Sequence, residues 1–140
     1  MIILDTNVLS EFMRPIPADI VASWLANQDR DQLWTTTITE AELLVGVATM
    51  PEGRRKNELA LTIDATLSGF AHRILPFDRD AARQLPDVFL ERRAARLEMK
   101  LADGQIAAIA RLYGADIATR DMDDFVHTGL KLINPWTVPS

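Results

Sequence analysis

Met1-Ile2-Ile3-Leu4-Asp5-Thr6-Asn7-Val8-Leu9-Ser10-Glu11 opens the chain with an apolar run closed by an aspartate. Residues 2–5 read as a strand. A short helix near 7–13 follows, which must stop before Pro15 and Pro17 because the residue preceding a proline is driven out of the helical region. Working outward, strand and helix patterns keep alternating, the signature of a parallel α/β layer fold. Ala18 to Asn27 carries Ile20, Val21, Trp24 and Leu25 at helical spacing. Residues 33–37 read as the second strand and 40–50 as the next helix, which ends before Pro51. Pro51-Glu52-Gly53 is a turn, and 54–70 is a helix with Leu59, Ile63, Thr66, Leu67 and Phe70 inward. A strand at 73–77 leads into a helix from about Asp78 to Leu97, with a kink or break expected at Pro86. A helix at 104–113 stops at Gly114. A strand at 116–119, a short helix at 122–126 and a strand at 131–134 complete the series. The expected architecture is one 140-residue α/β domain whose central parallel sheet is flanked by helices on both faces.

Four carboxylates punctuate this pattern where strands hand over to helices, or where helices begin: Asp5, Glu42, Asp103 and Asp121. In a parallel sheet the carboxyl ends of the strands share one edge, where ligands bind, so these acids are candidates to converge. Each has a plainer reading. Thr39-Glu40-Ala41-Glu42 fits a capping box, and Asp103, Asp121 and Asp5 or Thr6 fit helix N-caps. Jointly they are harder to explain as caps. Four carboxylates in one cleft repel one another and call for a cation, and oxygen-only ligands suit Mg²⁺ or Mn²⁺.

Composition narrows the chemistry. The absence of cysteine excludes disulfides, thiolate nucleophiles and zinc–thiolate sites, and suits a cytoplasmic setting. No apolar stretch is long enough to cross a bilayer, and no signal peptide is expected, since Met1 runs straight into a strand. The net charge is −5, but setting the four acids aside leaves the remainder near neutral, so charge does not exclude a nucleic-acid partner. A metal-free ribonuclease would want a histidine acid and base. The two histidines, His72 and His127, lie at no expected strand end and read as structural or exposed. Arg92, Arg96 and Lys100 share an expected helix face and would offer phosphate contacts, or else a solvated surface. Arg54-Arg55-Lys56, basic at a helix start, is an unfavourable placement that hints at a partner.

The chain resembles the PIN domains, and among them the VapC-type toxin ribonucleases of the FitB-like branch. The resemblance rests on residues 2–11, on Thr37-Ile38-Thr39-Glu40-Ala41-Glu42-Leu43-Leu44-Val45-Gly46-Val47, and on Ile74-Leu75-Pro76-Phe77-Asp78. It continues in Ala102-Asp103-Gly104-Gln105-Ile106-Ala107-Ala108, Ala118-Thr119-Arg120-Asp121 and Asn134-Pro135-Trp136. It implies metal-binding acids at Asp5, Glu42, Asp103 and Asp121, with Thr6 and Thr119 as polar groups beside the site. It further implies a Mg²⁺- or Mn²⁺-dependent endoribonuclease, a homodimer, a cognate antitoxin of the VapB or FitA kind, and operator DNA reached through that antitoxin. Two departures stand out. Arg92 to Lys100 lacks the glycine many relatives carry before the third acid, so that connection is expected to stay helical longer. Asp123 and Asp124 follow Asp121, and Asp124 is a candidate outer ligand. Two rivals remain open: a phosphotransferase using Asp5, which would want an aspartate where Asn7 stands, and a PIN subunit acting mainly as an antitoxin-binding regulator at operator DNA.

Overall fold

The computed structural model describes residues 1–137. Strands β1 (Ile2–Leu4), β2 (Leu33–Thr36), β3 (Ile74–Leu75), β4 (Asp116–Ala118) and β5 (Leu132–Ile133) form one parallel sheet in the order β3-β2-β1-β4-β5. The helices are α1 (Thr6–Phe12), α2 (Asp19–Ala26), α3 (Thr37–Ala48), α4 (Arg54–Gly69), α5 (Arg79–Ala94) and α6 (Leu101–Tyr113). Side chains alternate across the sheet as strand geometry requires. Ile3 and Ile117 join Ala81, Val88, Ile106 and Phe125 in a core beneath α5 and α6. Leu4 and Ala118 face the other way and join Val8, Trp24, Leu43, Val47, Ile63 and Leu67 from α1 to α4. Helices therefore cover both faces, as the alternating pattern implies. The strand order reverses between β1 and β4, which makes their shared carboxyl edge the place for a ligand.

Three local expectations fail, each for a visible reason. α5 runs unbroken past the exposed Pro86, so the expected break is absent. Asp78 caps its start by accepting from Ala81 N at 2.9 Å, and buried Ala81 and Val88 fix it in the core on both sides of the proline. The same helix ends at Ala94 rather than near Leu97. Arg96 N donates to Arg93 O and Leu97 N donates to Arg92 O, both at 2.9 Å, with Arg96 at φ 60°. This is a Schellman motif, and an arginine occupies the left-handed position usually given to glycine, at a cost of about 1 kcal/mol. The missing glycine thus does not prolong the helix.

The expected basic face of Arg92, Arg96 and Lys100 therefore does not exist. Arg92 is buried, and its guanidinium donates to Asp123 O at 2.8 Å, to Val126 O at 3.1 Å and to Glu98 O. Arg96 has left the helix, and Lys100 is the N-cap residue of α6. Two members of the other basic run are also occupied: Arg54 pairs with Glu58, and Lys56 with Glu52 and Ala48 O. Gly104 has a stricter role. A Cβ there would stand 2.7 Å from the Phe89 ring and 3.1 Å from Leu85, so α5 and α6 approach this closely only because the residue after Asp103 has no side chain.

Candidate active site

Asp5 ends β1 and caps α1. Its Oδ1 accepts from Thr6 N at 2.8 Å, and its Oδ2 accepts from Thr119 Oγ1 at 2.8 Å and from Asn7 Nδ2 at 3.3 Å. Thr119, fully buried at the end of β4, also accepts from Asp121 N at 3.0 Å. Asn7 links the same two strand ends. Its Nδ2 reaches Asp121 Oδ2 at 3.1 Å, and its Oδ1 accepts from Arg120 N at 3.1 Å. Thr6 Oγ1 donates to Glu42 Oε1 at 2.9 Å and lies 3.1 Å from Thr39 Oγ1. Asp103, in the first turn of α6, completes a cleft of about 570 Å³ that all four acids line, together with Asp124, Lys100 and Arg120.

The capping explanations fail for three of the four acids. α3 starts at Thr37, and Thr36 Oγ1 caps it by accepting from Thr39 N at 3.2 Å, which leaves Glu42 well inside the helix with Thr6 as its partner. The capping box expected at Thr39 does not form, because the helix begins earlier in the threonine run. Asp103 is likewise past the cap, since α6 begins at Leu101. Asp121 precedes a short 3₁₀ turn (Met122–Asp124) without capping it. Only Asp5 is both a cap and a cleft acid.

Charge and burial explain the electrostatics. Burial pushes the Asp5 carboxyl above its ordinary value. The Thr119 and Thr6 hydrogen bonds oppose that rise, and the neighbouring charges of Glu42 and Asp121 add to it. Asp103 is pushed up to about 6, first by burial, then by Asp5 and Asp124, with Lys100 opposing. Glu11 behaves in the opposite way, because Ala18 N–H and then Arg14 hold it below the usual carboxylate range. His72 and His127 are exposed and do not line the cleft.

The donor set fits a hard divalent cation. Every acid donor in the cleft is an oxygen, and two acids resist ionisation partly because other carboxylates surround them. Among the described residues no three acidic or histidine side chains already stand close enough to cage an ion. Asn7, the third oxygen-bearing side chain of the turn Asp5-Thr6-Asn7, was given no role in the expected site, yet it bonds both Asp5 and Asp121.

A family model described as PIN domain matches residues 2–130. The chain belongs to the PIN domain family. It is 40% identical to VapC ribonuclease Y4jK of Sinorhizobium fredii over 97% of this chain and 98% of that one. It is 39% identical to Toxin FitB of Neisseria gonorrhoeae over 97% of this chain and 99% of the other. The solved structure of FitAB bound to an IR36 DNA fragment superposes with a TM-score of 0.93 at 37% identity, covering 100% of this chain and 99% of that one. The parallel sheet with helices on both faces is that expected from the alternating pattern, and the PIN fold is that expected from the resemblance.

Proposed function

We propose that this PIN domain is a Mg²⁺- or Mn²⁺-dependent endoribonuclease, the toxin of a type II toxin–antitoxin pair. The observation that carries the reading is the convergence of Asp5, Glu42, Asp103 and Asp121 in one cleft, with the pKa values of Asp5 and Asp103 both raised above the ordinary carboxylate range. A bound divalent ion supplies a water of lowered pKa and neutralises charge on a phosphodiester. The four acids would hold that ion, and the remaining polar groups hold the acids. Thr119 and the Thr6 amide fix the rotamer of Asp5, the Thr6 hydroxyl directs Glu42, and Asn7 sets Asp121 against Asp5. No histidine lines the cleft to act as acid or base in a metal-free cleavage through the 2′-hydroxyl.

The names of two relatives, a VapC ribonuclease and a FitB toxin, support the same reading. FitAB bound to DNA supports a cognate antitoxin through which operator DNA is reached, and we read the working form as a homodimer. The direct test is Asp5→Asn. It should fold as the parent does and lose metal-stimulated RNA cleavage; full cleavage by the folded variant removes the central claim. A parent protein that forms an operator-bound complex but never cleaves RNA would favour the regulatory-subunit alternative.

A further inference from the structure

An acid-lined cleft repels the polyanion it is read as cutting, so it needs cations at its mouth. Three basic residues line it: Arg14, Lys100 and Arg120. Arg14 is paired with Glu11 at 3.2 Å. Lys100 sits beside Asp103, whose charge it favours. Arg120 adjoins Asp121 in the chain and acts by its charge on Glu11, yet among the described residues it, like Lys100, forms no close ion pair with an acid. Instead its guanidinium lies over the Trp136 ring, 4.9 Å from the centroid.

Both partners of that stack are held from behind. Arg120 N donates to Asn7 Oδ1 at 3.1 Å, so its backbone is tied to the residue that also bonds Asp5 and Asp121. Trp136 N donates to Asn134 Oδ1 at 2.9 Å, and the ring packs against the core that contains Leu4 and Ala118. A guanidinium held over an aromatic ring by cation–π attraction still has N–H groups to offer, and its planar fork matches two oxygens of a phosphate. The ring restricts the arginine before any ligand arrives, so less rotamer freedom is lost on binding.

We propose that Arg120, shelved on Trp136, anchors a backbone phosphate of a single RNA strand next to the one placed over the acids. The inference rests on the ribonuclease reading and adds a substrate-positioning residue to it. The probe is a fluorescein-labelled oligouridylate in Mg²⁺, with cleavage disabled by Asp5→Asn and binding followed by anisotropy across a salt series. One phosphate contact to a single strand contributes about 0.7 to the slope of log K against log salt. Adding Arg120→Ala should therefore lower that slope by about 0.7 and weaken binding about fivefold near 0.1 M salt. Adding Trp136→Leu should weaken binding while leaving the slope unchanged, because the charge remains. A purely structural stack would lower the melting temperature of both variants and leave the slope alone, which overturns the inference. So does a loss of antitoxin association with RNA binding unchanged, which would make Arg120 a protein contact. If the Asp5→Asn protein binds no RNA and the parent cleaves none, the ribonuclease reading and this inference fall together.

Discussion

Replacing Thr119 by valine removes one hydroxyl from the centre of the site and almost nothing else. Thr119 is fully buried, and the valine methyl fills the space of the lost oxygen, so no cavity contributes. What is lost is a 2.8 Å hydrogen bond to the buried Asp5 carboxylate and the acceptor for Asp121 N. Hydrogen bonds to charged groups contribute about 1.5–3 kcal/mol. For a chain of this size that corresponds to a fall in melting temperature of about 5–10 °C. The cost should depend on pH. The lost bond favours the ionised form of Asp5, which burial already disfavours, so the gap between parent and variant should narrow as acid protonates that carboxyl. Urea unfolding of both proteins at pH 7 and at pH 5, without added metal, measures this, and calorimetric titration with Mn²⁺ at pH 7 should show weaker binding by the variant. Equal stability within about 0.5 kcal/mol at pH 7, with unchanged Mn²⁺ affinity, would refute the view that Thr119 holds Asp5 for its task.

Asp103 supplies a second pH effect with a definite sign. Its folded pKa, about 6, lies above the ordinary aspartate value of 3.8, so the folded state binds the extra proton and the penalty of the charge is fully present only above about pH 6. In chelator the parent should therefore gain stability on acidification from pH 7 towards 4, and Asp103→Asn should lose that part of the gain. Thermal melts across pH decide it, and identical profiles would count against the shift. Gly104→Ala forces a Cβ to within 2.7 Å of the Phe89 ring. It should cost about 1–3 kcal/mol by overpacking and displace the first turn that carries Asp103, weakening Mn²⁺ binding as well. An alanine variant matching the parent in both measurements would show that α5 can yield without disturbing the site.

The sheet and most helices were legible because their signals are local: apolar runs, helical periods, and prolines and glycines as punctuation. The acids were legible because each follows such a boundary. What sequence hid was non-local or turned on a single turn. Nothing before the fold is known says that Arg92, two residues before the end of its helix, would fold inward onto the carbonyls of Asp123, Val126 and Glu98. A helical repeat extended through it yields a basic stripe instead. The start of α3 was misplaced because Thr36 and Thr39 are interchangeable as caps on paper, and only the hydrogen bond from Thr39 N to Thr36 Oγ1 selects between them. That single offset turns Glu42 from a capping residue into a cleft acid.

The acidic run after β4 leaves Asp121, Asp123 and Asp124 as contenders for the fourth place, and the structure gives them different neighbours. Asp121 is joined to Asp5 through Asn7 and acts on Asp5 by its charge. Asp124 lines the same cleft but acts on Asp103. Asp123 is exposed, and its carbonyl is taken by Arg92. The cleft therefore pairs Asp5 with Asp121 through Asn7 and sets Asp124 with Asp103, although Asp5 acts on Asp103 more strongly than Asp124 does and Glu42 acts by its charge on both Asp5 and Asp103. A single ion held chiefly by the first pair predicts that Asp121→Asn weakens Mn²⁺ binding far more than Asp124→Asn. Equal losses from the two variants would instead mean that both pairs contribute ligands. Calorimetric titration of the two variants side by side separates these cases without recourse to activity, because each substitution removes one carboxylate charge from one pair only.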